Sequence, residues 1–437
     1  MRKIFLLLVT LSFALFVHSQ VSKTVNVTAG GLSTALTHAE LATVTNLTVT
    51  GTIDARDFVT MRDSATALAI INLSETSIAA YTGTMGTDNI FFTSSHFYPA
   101  NEIPWGAFMS LLPSRRITSI SMPLSVTSID VGAFSRCSGL TAISIPSTVT
   151  SIGACAFQFC TGLTSIMIPF YVTEIKAETF DGCTGLTSIT IPSSVTAIGE
   201  YAFGGAGLTS INIPSSVLSI ATTAFRNCAD LISINIPLGI TSIGIKAFYY
   251  CTSLTSITIP SSVTSIDIMA FEGCVGLTSI TIPSSVSFIG SYAFWGCNLN
   301  SIYENSTLPP DVSWVSNVFN GINQSTCTLY VPTGSKSAYQ KALGWKDFTN
   351  IVEMTTALQT IPNAELSIYP NPITDSFQMR GYDGSVLMVI MDLNGKALLK
   401  KQVTANEEIN INSFSKGIYM VEINAGNGLI LKKIIKE

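Results

Sequence analysis

The sequence predicts a mainly β chain: a solenoid of 23-residue repeats with a cap at each end, followed by a small β-sandwich. Three observations predict it. Prolines in IP or MP dipeptides recur at steps of 23 residues, once 22: Pro123, Pro146, Pro169, Pro192, Pro214, Pro237, Pro260 and Pro283. Eleven residues after each comes a phenylalanine: Phe134, Phe157, Phe180, Phe203, Phe225, Phe248, Phe271 and Phe294. The composition then changes, with eight Lys or Arg in residues 366–437 against four in 117–302. A fixed period in the twenties marks stacked units, each able to bury its apolar face only against its neighbours.

Residues 1–19 carry the parts of a secretory signal: Arg2 and Lys3, an apolar run from Ile4 to Val17, and small Ser19. Cleavage there leaves Gln20 first. The run is shorter than the roughly 18 to 20 residues that span a bilayer, and no Cys stands at the cleavage site to take a lipid. Export is therefore expected. Charged residues make up only 11% of the chain, against about 25% in an average soluble protein. The net charge of -5 provides no basic surface to neutralise phosphates, which argues against nucleic acid as a partner.

Residues 20–116 form the expected N-terminal capping region and 117–302 the repeats. The unit reads LTSITIPSSVTSIGxxAFxxCxG. In residues 186–208, Leu186, Ile189 and Ile191 fall where a short strand sends side chains inward, while Ser188 and Thr190 point out. Pro192 has no backbone donor and ends the strand. Val195 and Ile198 return to the core, and the AF segment closes the coil.

Seven cysteines follow the repeat Phe by three residues: Cys137, Cys160, Cys183, Cys228, Cys251, Cys274 and Cys297. The fourth unit, one residue short, has Ala206 there. Zinc is disfavoured, because a 23-residue spacing is not a CxxC knuckle and the mature chain holds only His38 and His96. Disulfides between stacked units meet the distance requirement, but parallel side chains oppose the near-perpendicular S–S torsion. Buried thiols, each donating weakly to a turn carbonyl, are the favoured reading.

Residues 303–354 are expected to form a C-terminal cap, with Tyr339, Trp345, Phe348 and Ile351 spaced as a lid. A loose linker, 355–365, leads to a domain of seven short strands in residues 366–437. These include Leu366 to Tyr369, Val386 to Met391, Ala397 to Val403, Ile418 to Ile423 and Leu429 to Ile435, the pattern of an Ig-like β-sandwich. Asn394-Gly395 is a hairpin dipeptide.

The IP, SVTxIG, AF and Cys marks over residues 117–302 resemble the BspA-type leucine-rich repeat family of bacterial surface proteins. The flanks "TNLTVTGTIDARDFVTMRD" and "CTLYVPTGSKSAYQKALGWKDFTNIVE" resemble the caps of its Bacteroidota members. In the last domain, YPNP (Tyr369, Pro370, Asn371, Pro372), DLNGK (with Asp392, Asn394, Gly395, Lys396), KGIYMVEI (with Gly417, Tyr419) and KKIIK (with Lys432, Lys433) resemble the type A sorting domain of type IX secretion. The triplet Asp63-Ser64-Ala65 resembles an O-glycosylation signal of the same phylum, and a capping turn also uses Asp and Ser. The resemblance implies a leucine-rich-repeat solenoid carried through the inner membrane. The type IX machinery, as partner, then delivers it to the outer surface or the medium.

No catalytic grouping stands out. The repeats hold eight Asp or Glu in 186 residues, no Ser lies in a GxSxG elbow, and GGAG at 204–207 lacks the Lys of a phosphate loop. The sequence thus reads as a non-enzyme with no cofactor or metal. By family resemblance it is an adhesin-like module contacting a host protein, a glycan or another bacterium. A structural envelope or biofilm protein and an enzyme-accessory binding module are the alternatives. Comparing repeats places the contact strip just after the repeat Phe, where Arg226, Tyr249, Glu272 and Trp295 line up with Tyr250 and Tyr292 nearby. The outward strand positions are instead nearly constant Ser, Thr or Asn.

Overall fold

The computed structural model describes residues 20–88, 94–109, 117–312, 317–354, 367–380, 385–392, 397–424 and 429–437. The expected signal peptide, the linker 355–365, Leu366, and Asn394, Gly395 and Lys396 lie outside them. The chain forms two units, residues up to 303 with 309–327, and 304–308 with 328–437.

In the first unit each coil contributes to three stacked ladders. The first is the expected one, with two- to four-residue strands such as Ser210–Asn212, Ser233–Asn235 and Ser256–Thr258 paired in parallel and in register. Their middle Ile is buried and the flanking Ser, Thr and Asn are exposed. A strand this short has no stability alone and exists because the next coil completes it. Each Pro then accepts from the N–H three residues on, as in Val195 N to Pro192 O at 3.1 Å. A Ser or Thr after the Pro donates to the preceding coil, for example Ser262 Oγ to Ile240 O at 2.6 Å.

The return path is itself a second parallel ladder, which the sequence reading did not assign as strand. Ser242–Ile243, Ser265–Ile266 and Phe288–Ile289 pair in turn, because the alternation in TSI again sends one Ile inward. The third ladder runs through the AF turns. Inside it ten phenylalanines, from Phe108 through the eight repeat residues to Phe319, stack with centroids 5.3 to 6.0 Å apart and planes within 14°. Such offset parallel stacking is a favoured aromatic geometry. The seven cysteines are in no disulfide and are buried beside this stack. Each Sγ donates to the Phe carbonyl of the coil before, at 2.9 to 3.3 Å. Burial pushes the thiols of Cys183, Cys228 and Cys297 up to about 12.

One expectation is corrected. Residues 186–191, chosen as the example strand, carry only an isolated bridge between Met167 and Thr190, and Ile189 is half-buried. This unit is the short one. With one residue fewer between Phe203 and Leu208, the rings stay in the stack and the strand face gives way.

Before the repeats, Ser22–Val27, Asn46–Ile53, Ile70–Ile78 and Ser119–Ser121 form a parallel sheet that runs into the first ladder. The segment resembling the family cap is tied by charge. Asp57 accepts from the N–H groups of Gly30, Leu32 and Asp54 at 2.7 to 2.9 Å. Buried Arg62 donates to Thr87 O at 2.6 Å and Gly106 O at 3.2 Å while pairing with Asp63, whose neighbour Ser64 is exposed.

In the second unit, Thr328–Pro332 and Asn350–Met354 pair in parallel, and Tyr339, Trp345, Phe348 and Ile351 are all buried. Tyr339 meets Trp345 edge-on at 5.4 Å. Among the described residues the C-terminal region has seven strands in two antiparallel sheets. Ser367–Tyr369, Ser376–Arg380 and Glu408–Asn410 make one; Ala397–Thr404, Ser385–Met391, Gly417–Asn424 and Leu429–Lys436 make the other. Phe377, Met379 and Ile409 meet Val386, Met388, Ile390, Val421 and Ile434 in the core between them.

Candidate functional site

The AF turn has an unusual backbone because its N–H groups alternate in direction. The N–H groups of Ala133, Ser135 and Cys137 turn back to carbonyls three residues earlier, at 2.9 to 3.3 Å. Those of Gly132, Phe134 and Arg136 reach forward to Ala154, Ala156 and Gln158 of the next coil, at 2.6 to 2.9 Å. To alternate, two residues per turn adopt the left-handed conformation, two before and two after the Phe. The first column includes Cys155, Glu178, Tyr201, Lys246 and Tyr292, at φ between 51° and 59°. The second includes Arg136, Phe159, Asn227 and Tyr250 at 55° to 62°, with Gly182, Gly205, Gly273 and Gly296 at 61° to 73°. The strip expected from the sequence is the row between them.

In that row Trp295 is exposed and Gln158, Asp181, Arg226 and Tyr249 are half-buried, and one member is misread. Glu272 is 4% exposed, covered rather than displayed, with Oε2 buried and without a hydrogen-bond partner among the described residues. The covering follows from the turn geometry. The residue after the Phe has its carbonyl bonded to the preceding coil, as Glu272 O is to Tyr250 N at 2.7 Å, so it sits at the centre of the ladder between the two flanking columns. Burial raises the Glu272 pKa, opposed by the charge of Lys246.

The other predicted residues form two groups. The Arg226 guanidinium lies over the rings of Tyr201 and Tyr249 at 5.8 and 5.4 Å, and Lys246 Nζ is 5.6 Å from the Tyr249 ring. Tyr249 and Tyr250 touch at 4.6 Å. Trp295, 38% exposed, meets Tyr292 edge-on at 6.0 Å, and Asn317 Nδ2 donates to Tyr292 Oη at 3.1 Å.

Sequence reasoning missed a concavity of about 520 Å³ in the same face. Its floor is Gly182, Gly204 and Gly205, and its walls are Phe159, Thr161, Glu178, Asp181, Thr184, Tyr201, Arg226 and Asn227. Gln158 Nε2 donates to Glu178 Oε2 at 2.5 Å and Asp181 Oδ2 at 3.2 Å. Burial raises the Asp181 pKa, opposed by the Gln158 hydrogen bond. The missed signal was available in the column two residues after the Phe, where Gly182 and Gly205 follow Phe159.

Among the described residues no three His, Cys, Asp or Glu side chains are grouped to hold a metal, and no helix is long and apolar enough to cross a membrane. Half-buried Cys155 donates to Glu178 Oε2 at 3.8 Å, and burial with that carboxylate raises its thiol to about 11, unlike a reactive cysteine.

In the C-terminal sandwich, Asn371 clamps the last strand, donating to Lys433 O and accepting from Ile435 N, both at 2.9 Å. Tyr419 Oη donates to Ser415 O at 2.7 Å. Tyr369 is exposed under Arg380, whose Cζ is 5.5 Å from the ring; Asp392 and Lys432 are half-buried and Lys433 exposed. YPNP and KKIIK thus meet at one sheet edge.

A family profile described as the BspA type leucine rich repeat region matches in six copies over residues 101–232 and 197–326, more than half the chain. A second, the secretion system C-terminal sorting domain, matches residues 367–437. Among solved structures, a leucine-rich repeat protein from Bacteroides ovatus is 25% identical, covering 60% of this chain and 74% of its own, with a TM-score of 0.42. The leucine rich repeat protein TpLRR of T. pallidum is 31% identical over 38% of this chain and 86% of its own, with a TM-score of 0.36. A leucine rich cell surface protein from Faecalibacterium prausnitzii is 26% identical over 56% and 86%, with a TM-score of 0.30. No curated protein matches the chain.

Proposed function

The chain belongs to the BspA-type leucine-rich repeat proteins and ends in a secretion sorting domain, and from that premise we propose that it is an adhesin-like module whose turn face contacts a host protein, a glycan or another bacterium. The sorting domain assigns it to type IX export and to the cell surface or the medium. One observation carries the choice of face. The outward strand positions repeat Ser, Thr and Asn, whereas the AF turns hold a concavity and exposed aromatic rings beside cations. Aromatic residues and Arg carry a disproportionate share of binding energy at interfaces. The proposed organisation is a capping region at 20–116, repeats at 117–302, a closing cap at 303–354 and the sorting domain from 366.

The test is capture of host-surface extracts by the mature chain and by the triple variant Arg226→Ala, Tyr249→Ala, Trp295→Ala. The variant is expected to weaken binding by about 2 kcal/mol or more without unfolding. Equal loss on replacing the Ser and Thr of the strand wall, with none here, would move the site to that wall. Deleting residues 366–437 should leave a folded solenoid in the periplasm, whereas normal surface levels would contradict the export role.

A further inference from the structure

Resting on the turn face as the binding surface, we propose that it binds a neutral polysaccharide chain laid across two aromatic platforms, Phe159 and Tyr250. In the column two residues after the repeat Phe, each ring is followed by two glycines: Phe159, Gly182, Gly205, then Tyr250, Gly273, Gly296. A Cβ on Gly182 would lie 2.2 Å from Phe159 Cδ1, and one on Gly273 would lie 2.9 Å from Tyr250 Cδ2. Each ring therefore rests across the glycine of the next coil. Beyond it, a Cβ on Gly205 or Gly296 would meet only glycine backbone, at 3.9 and 3.8 Å, so the space past each ring is open. The rings remain 39% and 42% exposed. They stand four coils apart, about 19 Å at roughly 4.8 Å per coil.

The surrounding groups select the chemistry of the ligand. Arg136 lies over Phe159 at 5.5 Å and Arg226 over Tyr201 at 5.8 Å, so the aromatic surfaces near the first platform already face cations, and another cation is repelled. A polyanion would bring its charges against Glu178 and Asp181, which line the same concavity. A neutral polyhydroxylated ligand avoids both penalties. Its hydroxyls accept from Asn227 and Arg226 and donate to the two carboxylates, while C–H groups of a sugar ring pack on the part of each aromatic ring left exposed beside its cation or tyrosine neighbour. One long chain reaching both platforms makes its second contact intramolecular, so polymers bind more tightly than short oligosaccharides.

The experiment is affinity electrophoresis of residues 20–437 in gels containing laminarin, galactomannan or xyloglucan, with heparin and polylysine as charged probes. Retardation by at least one neutral polymer and by neither charged one is expected. Phe159→Ala and Tyr250→Ala should each weaken it about tenfold or more, and the pair together further. Gly205→Asn should weaken it by filling the floor, with the unfolding transition retained because Asn227 already adopts this backbone. No neutral retention, retention of a charged probe alone, or retention indifferent to all three changes overturns the proposal. The same variants are read on epithelial cells before and after periodate oxidation of surface glycans. Cell binding that needs the turn face yet resists periodate removes the saccharide and keeps the face; polysaccharide retention indifferent to every turn-face change removes the face as well.

Discussion

The strand wall and the turn face of the solenoid come from the same coils, yet they display different chemistry. On the wall, extended backbone points Ser210, Ser233 and Ser256 straight out, and neighbouring coils add little beyond a flat polar surface. On the turn face two residues per coil are left-handed, and a side chain there lies across the next coil, as the Phe159 ring does over Gly182. Glycine is then favoured next in line, for its backbone freedom and for the absence of a Cβ under the ring. Relief on the turn face arises from this lean, whereas the wall repeats one residue type without consequence.

The comparison can be broken from beneath. Phe248→Ala removes one ring from the stack that both faces rest on, and should cost about 3 to 5 kcal/mol in denaturant unfolding; a loss near that of a surface change would show that the stack does not support the coil. Glu272→Met removes a buried carboxylate whose Oε2 has no hydrogen-bond partner, together with the Lys246 attraction and the Tyr249 hydrogen bond that partly offset its burial, and should raise stability at pH 7 by about 1 kcal/mol. The sign of its pH dependence follows from the raised native pKa. The native carboxyl takes up a proton before the unfolded one as pH falls, so acid relieves the wild-type penalty, fully below the unfolded value of 4.5. The gain in the variant should therefore shrink from pH 7 to pH 4; a constant gain would attribute it to packing alone.

Gly205→Ala sharpens the contrast. The space above Gly205 is open but φ is +61°, so a loss of about 1 to 2 kcal/mol measures the left-handed backbone alone. Ser256→Ala on the wall should change stability by less than about 0.5 kcal/mol. The thiols complete the series: denaturing the unreduced protein and alkylating it should label the seven ladder cysteines, since each donates to a Phe carbonyl. A Cys251–Cys274 link found by mass spectrometry would mean the stack closes further than these hydrogen bonds allow.

The period of Pro and Phe, the inward Ile and Val, and the seven short runs of residues 366–437 were enough to establish the solenoid and the sandwich. Each is a local pattern that permits one way of burying apolar surface. The same patterning placed the cysteines beside the Phe turn. The exposure of Glu272 was misjudged and the concavity missed, because variation along a column says nothing about which neighbouring column covers it. The loss of strand at 186–191 depended on how a one-residue deletion near Ala206 is shared between a rigid ring stack and a two-residue ladder. Sequence by itself thus determined the repeat, its core and its class. Only the tertiary structure decided which side chains reach solvent, because the left-handed turns that tilt them are held by hydrogen bonds to the next coil, 22 or so residues away.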